Sequence, residues 1–174
     1  MGLFRRRLPA GRRPALEPDE RVVAWAAAGA GDSGTVVVTN RGLWLPDADA
    51  RLGWHEVIKA TWDGRALTVV PADHVAARDG YEVVADAPAR QVTLPDPGDV
   101  PHQVRTRVTS SVGFTTYDGV PGGAARVAGR KVSGRDGLTW TVRYDPGTPA
   151  DDPGVRAATA ELVAAARATT TVDL

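Results

Sequence analysis

Residues 99–112, DVPHQVRTRVTSSV, decide how the rest of the chain is read. Val100, Val104, Val108 and Val112 recur every four residues, the spacing of one stripe along a helix. Asp99 is placed to cap that helix. Pro101 falls in its first turn, where a missing N–H costs little. β-Branched residues are weak helix formers, so the stripe must be held by packing against something else. The residues before it have a period of two, so that something is a sheet.

Upstream, short β-rich runs alternate with turn residues. Arg21–Ala28 and Thr35–Thr39 read as strands joined by Gly29–Gly34. Asn40-Arg41-Gly42 supplies a tight turn, since Asn and Gly tolerate positive φ, and Gly42–Leu45 returns. Arg51–Trp54 and Val57–Trp62 follow, with Ile58, Ala60 and Trp62 on one face and Lys59 and Thr61 on the other. Asp63-Gly64 is a hairpin signal answered by Leu67–Val70. Tyr81–Ala85 and Gln91–Leu94 are two further strands. The sheet is expected to curl into a barrel whose open end the valine-striped helix closes.

Downstream, Ala124–Val132 and Leu138–Tyr144 flank the turn-rich Ser133–Gly137. Leu138, Trp140, Val142 and Tyr144 alternate with Thr139, Thr141 and Arg143, the pattern of a sheet with one buried face. Asp152-Pro153 starts a last helix. Its stripe is Val155, Ala158, Leu162, Val163 and Ala166, with Thr159 as the polar interruption. Ala168–Leu174 is expected to fray. The fold class is thus mainly β (α+β): a helix-capped barrel, then a β-hairpin and a C-terminal helix. The expected division is a disordered basic tail over 1–18, the barrel and its helix over 19–117, and the packed extension over 118–174. Its boundary falls in Asp118–Gly123.

Composition removes several classes of function. The chain has no cysteine, which excludes disulfides, thiolate catalysis and Cys-based zinc sites. No apolar run reaches the ~18 residues of a membrane span. Residues 1–18 lack the apolar core of a signal peptide, and Arg6 stands where a myristoylation motif needs Ser or Thr. A cytoplasmic location is expected. The first sixteen residues hold Arg5, Arg6, Arg7, Arg12 and Arg13 and no acid, leaving 16 basic against 21 acidic residues in the remainder. Such a tail gives weak, salt-sensitive contact with anionic lipid at most.

Two segments carry a family resemblance: Thr39-Asn40-Arg41-Gly42-Leu43-Trp44 and Arg51-Leu52-Gly53-Trp54-His55-Glu56-Val57. The first resembles the turn between the second and third strands of bacterial pleckstrin-homology-like and GRAM-like domains. The second resembles the strand that follows and its step into the fifth. The resemblance covers about residues 17–113. It implies a capped barrel; members of such families bind lipids, peptides or nothing known, so the resemblance does not choose a function. The phosphoinositide-binding members carry basic residues around the first loop. Here that loop, 29–34, has none and contains Asp32, so that ligand does not carry over.

The remaining signals are weighed against simpler readings. Gly29–Gly34 matches G-x-G-x-x-G, but a strand follows where a dinucleotide site needs a helix N-terminus. The three histidines, His55, His74 and His102, show no i, i+4 metal spacing, and no nucleophile-elbow motif accompanies them. Of the five tryptophans, Trp44 faces opposite to Leu43 and Leu45, so either it or they are exposed unless both faces of the strand are covered. Arg126, Arg130 and Arg143 are expected on the face opposite Trp140. Trp44 and these three arginines are the candidate binding residues. The expected function is a non-enzymatic module for a protein or peptide partner, with no cofactor, no metal and no catalytic residue. Two alternatives stand beside it: weak binding to anionic membrane or nucleic acid through arginine-rich surfaces, and small-molecule hydrolysis.

Overall fold

The β-branched run at Thr35–Thr39 forms strand β2, between β1 (Val22–Ala27) and β3 (Gly42–Trp44), with β4 (Leu52–Gly53) beyond. These four make one antiparallel sheet in sequence order. The computed structural model describes residues 7–29 and 34–171. Most of the Gly29–Gly34 loop, Arg5 and Arg6 of the basic tail, and the last three residues lie outside the described residues.

A 3-10 turn at Trp54–Glu56 leads into β5 (Val57–Trp62), and the Asp63-Gly64 turn returns the chain along β6 (Ala66–Arg78). Asp63 closes that turn by accepting the amides of Arg65 at 2.8 Å and Ala66 at 2.7 Å. β7 (Tyr81–Asp86) and β8 (Arg90–Thr93) run back along β6, one on its distal half and the other on its proximal half. The Gly29 amide donates to the Thr93 carbonyl at 2.7 Å, so the end of β1 meets β8 and the strands curl into a half-barrel. Helix α1 (Val100–Ser111) lies across the open side, with Val100 and Val104 buried among Val36, Val38, Leu43, Val57 and Leu67.

The second half is a meander of β9 (Val112–Val120), β10 (Gly123–Lys131) and β11 (Leu138–Tyr144), followed by α2 (Pro153–Thr171). β11 pairs in parallel with β7, giving the order β5-β6-β7-β11-β10-β9. One face of this sheet packs on α2 through Val83, Val127, Trp140 and Val142 against Val155, Val163 and Ala166. Asp152 Oδ1 caps α2 by accepting the Gly154 amide at 2.8 Å. Thr159 donates its hydroxyl hydrogen to the Val155 carbonyl at 2.7 Å, so the Tyr144 hydroxyl is the donor in their 2.8 Å contact. The polar interruption of the stripe is thereby satisfied inside the core.

Several expectations need correction. The strand read as Leu67–Val70 continues to Arg78, straight through Pro71, and shifts register between His74 and Ala76. The helix stops at Ser111, and Val112 leaves the stripe to begin β9. Residues 113–120 are strand, and Pro121-Gly122 turns into β10, so the hairpin has a third strand. Asp99 does not cap α1 with its side chain; its carboxylate accepts a hydrogen bond from the Gln103 side-chain Nε2 at 2.8 Å instead. α2 stays helical to Thr171, with the Thr169 hydroxyl donating to Ala165 and those of Thr170 and Thr171 to Arg167.

The 39–42 turn is held by side chains rather than by positive φ, which neither Asn40 nor Gly42 adopts. Glycine is needed at 42 for space: a Cβ there would meet the Leu52 carbonyl oxygen at 2.4 Å. The Thr39 hydroxyl accepts the Gly42 amide at 3.0 Å and donates to Glu20 Oε1 at 2.7 Å. Glu20, buried, also takes the Trp44 indole N–H at 3.1 Å, Arg51 Nη1 at 2.6 Å and the Glu17 amide at 3.2 Å. Arg41 reaches both Glu17 and Asp19. Burial pushes the Glu20 carboxyl up, but Thr39, Trp44, the Glu17 amide and Arg51 together outweigh it, and its pKa lies below the ordinary 4.5.

A depressed folded pKa contributes stability that is complete above the unfolded value and is lost as pH falls through the folded one. Glu20→Gln is therefore expected to cost about 2 kcal/mol at neutral pH, because Arg51 then keeps only the Glu17 carboxylate, 3.7 Å away. The deficit should shrink below pH 4. Urea melts of both proteins at neutral and acid pH check this, and a pH-independent difference would remove the charge argument.

Candidate functional site

The meander has two faces, and α2 covers only one. On the other, Arg126 and Arg143 are direct cross-strand partners, Arg130 lies opposite Thr139, and Tyr117 lies opposite Arg126. The two-residue alternation thus places all three arginines on the face away from Trp140, as the sequence implies. Their surroundings differ sharply.

Arg130 is 8% exposed because the half-barrel sits against its end of the sheet. Its Nη2 donates to the Trp54 carbonyl at 2.8 Å, the Val57 carbonyl at 2.9 Å and Ser111 Oγ at 2.8 Å. Those acceptors belong to the 3-10 turn, the start of β5 and the last residue of α1. Burial lowers the pKa of this guanidinium, and no carboxylate among the described residues pairs with it. Its Nε–H is buried with no partner. Arg130 is therefore a fastener between the two halves, not part of an exposed basic patch.

The other candidates are surface groups already engaged. Arg126 lies over the Tyr117 ring, 5.1 Å from its centroid, a contact of cation–π type. Arg143 Nη1 pairs with Asp86 Oδ1 at 2.6 Å. Trp44 is half-buried on the outer side of β3, its N–H committed to Glu20, while Leu43 and Leu45 fill the core. It acts as a girder of the Glu20 network.

Where the half-barrel and the sheet diverge, beyond Arg130, a cleft of about 150 Å³ opens. His55 and Glu56 line one wall; His74, Glu82, Thr139 and Thr141 line the other, with Arg130 and Arg135 also present. His74 Nδ1 is 2.9 Å from Glu82 Oε2. Glu56 Oε2 accepts the Gly53 amide at 2.8 Å. Desolvation, opposed by the neighbouring Glu56, leaves the His55 pKa below 6.5, so its ring is neutral at physiological pH. No group of three or more His, Asp or Glu side chains among the described residues is arranged to hold a metal ion. His102 is exposed on α1, away from both other histidines.

The sequence reading missed this cleft because it ended the β6 strand at Val70, leaving His74 in a loop. The usable signal is the alternation of Tyr81–Asp86, which demands a partner strand as long as itself. Missed as well was β9, nine residues at the rim of the sheet. Among the described residues no strand pairs with its outer side. The shift at Gly129/Arg130 leaves Gly113 as the bulge, and this brings Val112 onto the same open face as Thr115 and Tyr117. Val112 is 37% and Tyr117 50% exposed.

Family models, curated proteins and solved structures yield no match to this chain. No helix among the described residues is long and apolar enough to cross a membrane.

Arg130→Ala is expected to lower unfolding stability by about 3 kcal/mol, since three buried acceptors lose their donor together. Arg130→Lys should recover only part of this, as one ammonium cannot match the planar fork. Chemical denaturation of the three proteins checks the order. A neutral Arg130→Ala would show that water replaces the guanidinium.

Proposed function

We propose that the chain is a non-enzymatic interaction module, built on a pleckstrin-homology-like scaffold, that takes up an extended peptide segment of a partner protein along the outer edge of β9. The observation that carries this reading is the free edge itself. An edge strand presents a row of unpaired N–H and C=O groups, which proteins normally blunt with Lys, Pro, a bulge or a covering element; the bulge of β9, at Gly113, leaves 114–120 in regular register with β10. β9 contains no Lys, Arg or Pro, and Val112 and Tyr117 stand exposed along its open face. Strand addition takes affinity from main-chain bonds and selectivity from alternate side chains.

The scaffold reading draws support from element order. Four strands form one sheet, β5, β6 and the β7–β8 pair form the return, and α1 lies across the opening. The readings based on anionic membrane or nucleic acid lose support because Arg130 is buried, Arg143 is paired and Arg126 is occupied by Tyr117. The hydrolytic reading rests on His74 and Glu82 alone, a pair about half exposed on each side and so largely solvated.

Thr115 and Thr116 provide an internally controlled test. On an edge strand, adjacent residues alternate in pointing N–H toward the neighbour or outward. One of Thr115→Pro and Thr116→Pro therefore breaks the ladder to β10 and lowers the melting temperature. The other keeps the melt and removes only an outward donor. A displayed library of random peptides should enrich binders on the unmodified protein, retained at moderate salt because pairing is not charge-driven. The fold-neutral proline variant should lose them. Binders kept by that variant, or none enriched at all, would defeat the proposal. So would self-association that the same variant abolishes, which would assign the edge to a second copy.

A further inference from the structure

The cleft between the 3-10 turn and the open face holds an imbalance that the fold does not use. Four charged side chains other than histidine line it: Glu56, Glu82, Arg130 and Arg135. Both acids are engaged, Glu82 by His74 and Glu56 by the Gly53 amide. The cations are not. Arg135 has no ion-pair partner among the described residues, and Arg130 has three neutral acceptors for Nη2 and none for its buried Nε–H. The hydroxyls of Thr139 and Thr141 also lack a hydrogen-bond partner there.

The Nε–H is sealed and out of a ligand's reach, but Arg130 lines the cleft and its Nη1 has no acceptor within the fold. Buried polar groups are as a rule satisfied by protein, water or ligand, and an acceptor in this cleft would meet Arg130 Nη1 and Arg135 at the same time. A planar carboxylate matches the edge of a guanidinium. The two acids in the wall favour a monoanion over a dianion, since each added negative charge faces both of them. The volume, about 150 Å³, admits a small acid or the end of a chain.

We infer that this cleft is a binding site for a small carboxylate, held by Arg130 and Arg135 with the Thr139 and Thr141 hydroxyls beside them. The carboxylate is that of a free short-chain acid or of a peptide C-terminus. The site lies on the β7–β11 side of the sheet and does not depend on strand addition at β9. Occupation places a negative charge next to His55, so its ring should bind a proton more readily in the complex.

The test uses the intact protein with acetate, a short peptide acid, the same peptide as its amide, inorganic phosphate and chloride as probes. The readouts are the Arg130 Nε–H resonance and the ring-proton titration of His55. Acetate should move the Nε–H signal saturably and raise the His55 midpoint, whereas chloride at equal ionic strength should not. Arg135 is exposed and holds nothing in the fold, so Arg135→Gln should keep the melting temperature and weaken acetate about tenfold, one charge-assisted contact's worth. Tighter binding of the peptide acid than of acetate, lost in the amide, assigns the carboxylate to a chain end; equal or weaker binding assigns it to a free acid. The inference is overturned if acetate shifts neither signal, if chloride does the same, if Arg135→Gln binds unchanged, or if phosphate binds and acetate does not.

Discussion

The two halves of this protein meet on one guanidinium. Arg130 leaves the sheet, enters the half-barrel and gathers the Trp54 and Val57 carbonyls and the Ser111 hydroxyl. Each acceptor ends or begins an element, at a place where backbone groups lose their regular partners. A buried cation with only neutral acceptors is an expensive device. It persists because a single planar group can satisfy, in one geometry, carbonyls that an apolar residue would leave bare. The cleft is a by-product of that geometry: the two halves touch at Arg130 and separate beyond it.

A second network lies close by, joined to the first through the Trp54 indole N–H, which donates to the Thr39 carbonyl at 3.2 Å. Glu20 collects Thr39, Trp44, Arg51 and the Glu17 amide, while Arg41 holds Glu17 and Asp19. Asn40 adds to this by accepting the Arg21 amide at 2.6 Å, and its own carbonyl accepts the Ser133 hydroxyl at 3.2 Å. The short motif around residues 39–44 is therefore a clasp that ties the chain entering β1 to the β2–β3 turn. The β10–β11 connector leans on the same place. Its polar residues serve the fold, which explains a distinctive pattern without assigning it to a ligand.

Much of the architecture was legible because packing there follows period. The valines of α1, the stripe of α2 and the alternation of β11 all faced where the spacing put them. What escaped was alternation written in other residues. β9 alternates in burial, but with Phe114, Thr116 and Asp118 on the inner side and Thr115 and Tyr117 outside, so no aliphatic period marks it. The far half of β6 begins with Pro71-Ala72-Asp73, which reads as a loop until β7 and β8 are seen to need a partner. The facing of Arg126, Arg130 and Arg143 was readable; the burial of Arg130 was not, because it depends on where a distant 3-10 turn docks. The opposite facing of Trp44 and its leucine neighbours was readable; its partner was not, because Glu20 lies twenty-four positions away.

Strand β6 runs through both hydrophobic clusters without a break: Leu67 and Val69 lie in one, and Ala76 packs against the other. The backbone itself is thus a common beam, and a ladder opened at one end cannot be confined there. Cutting the chain after Ser111 would not release a free-standing half-barrel. It would strip β7 of β11 and leave Val83 bare beside an open hydrogen-bonding edge. The two halves are best regarded as one cooperative unit with a fault line for a pocket, in which anything that grips the pocket braces the whole.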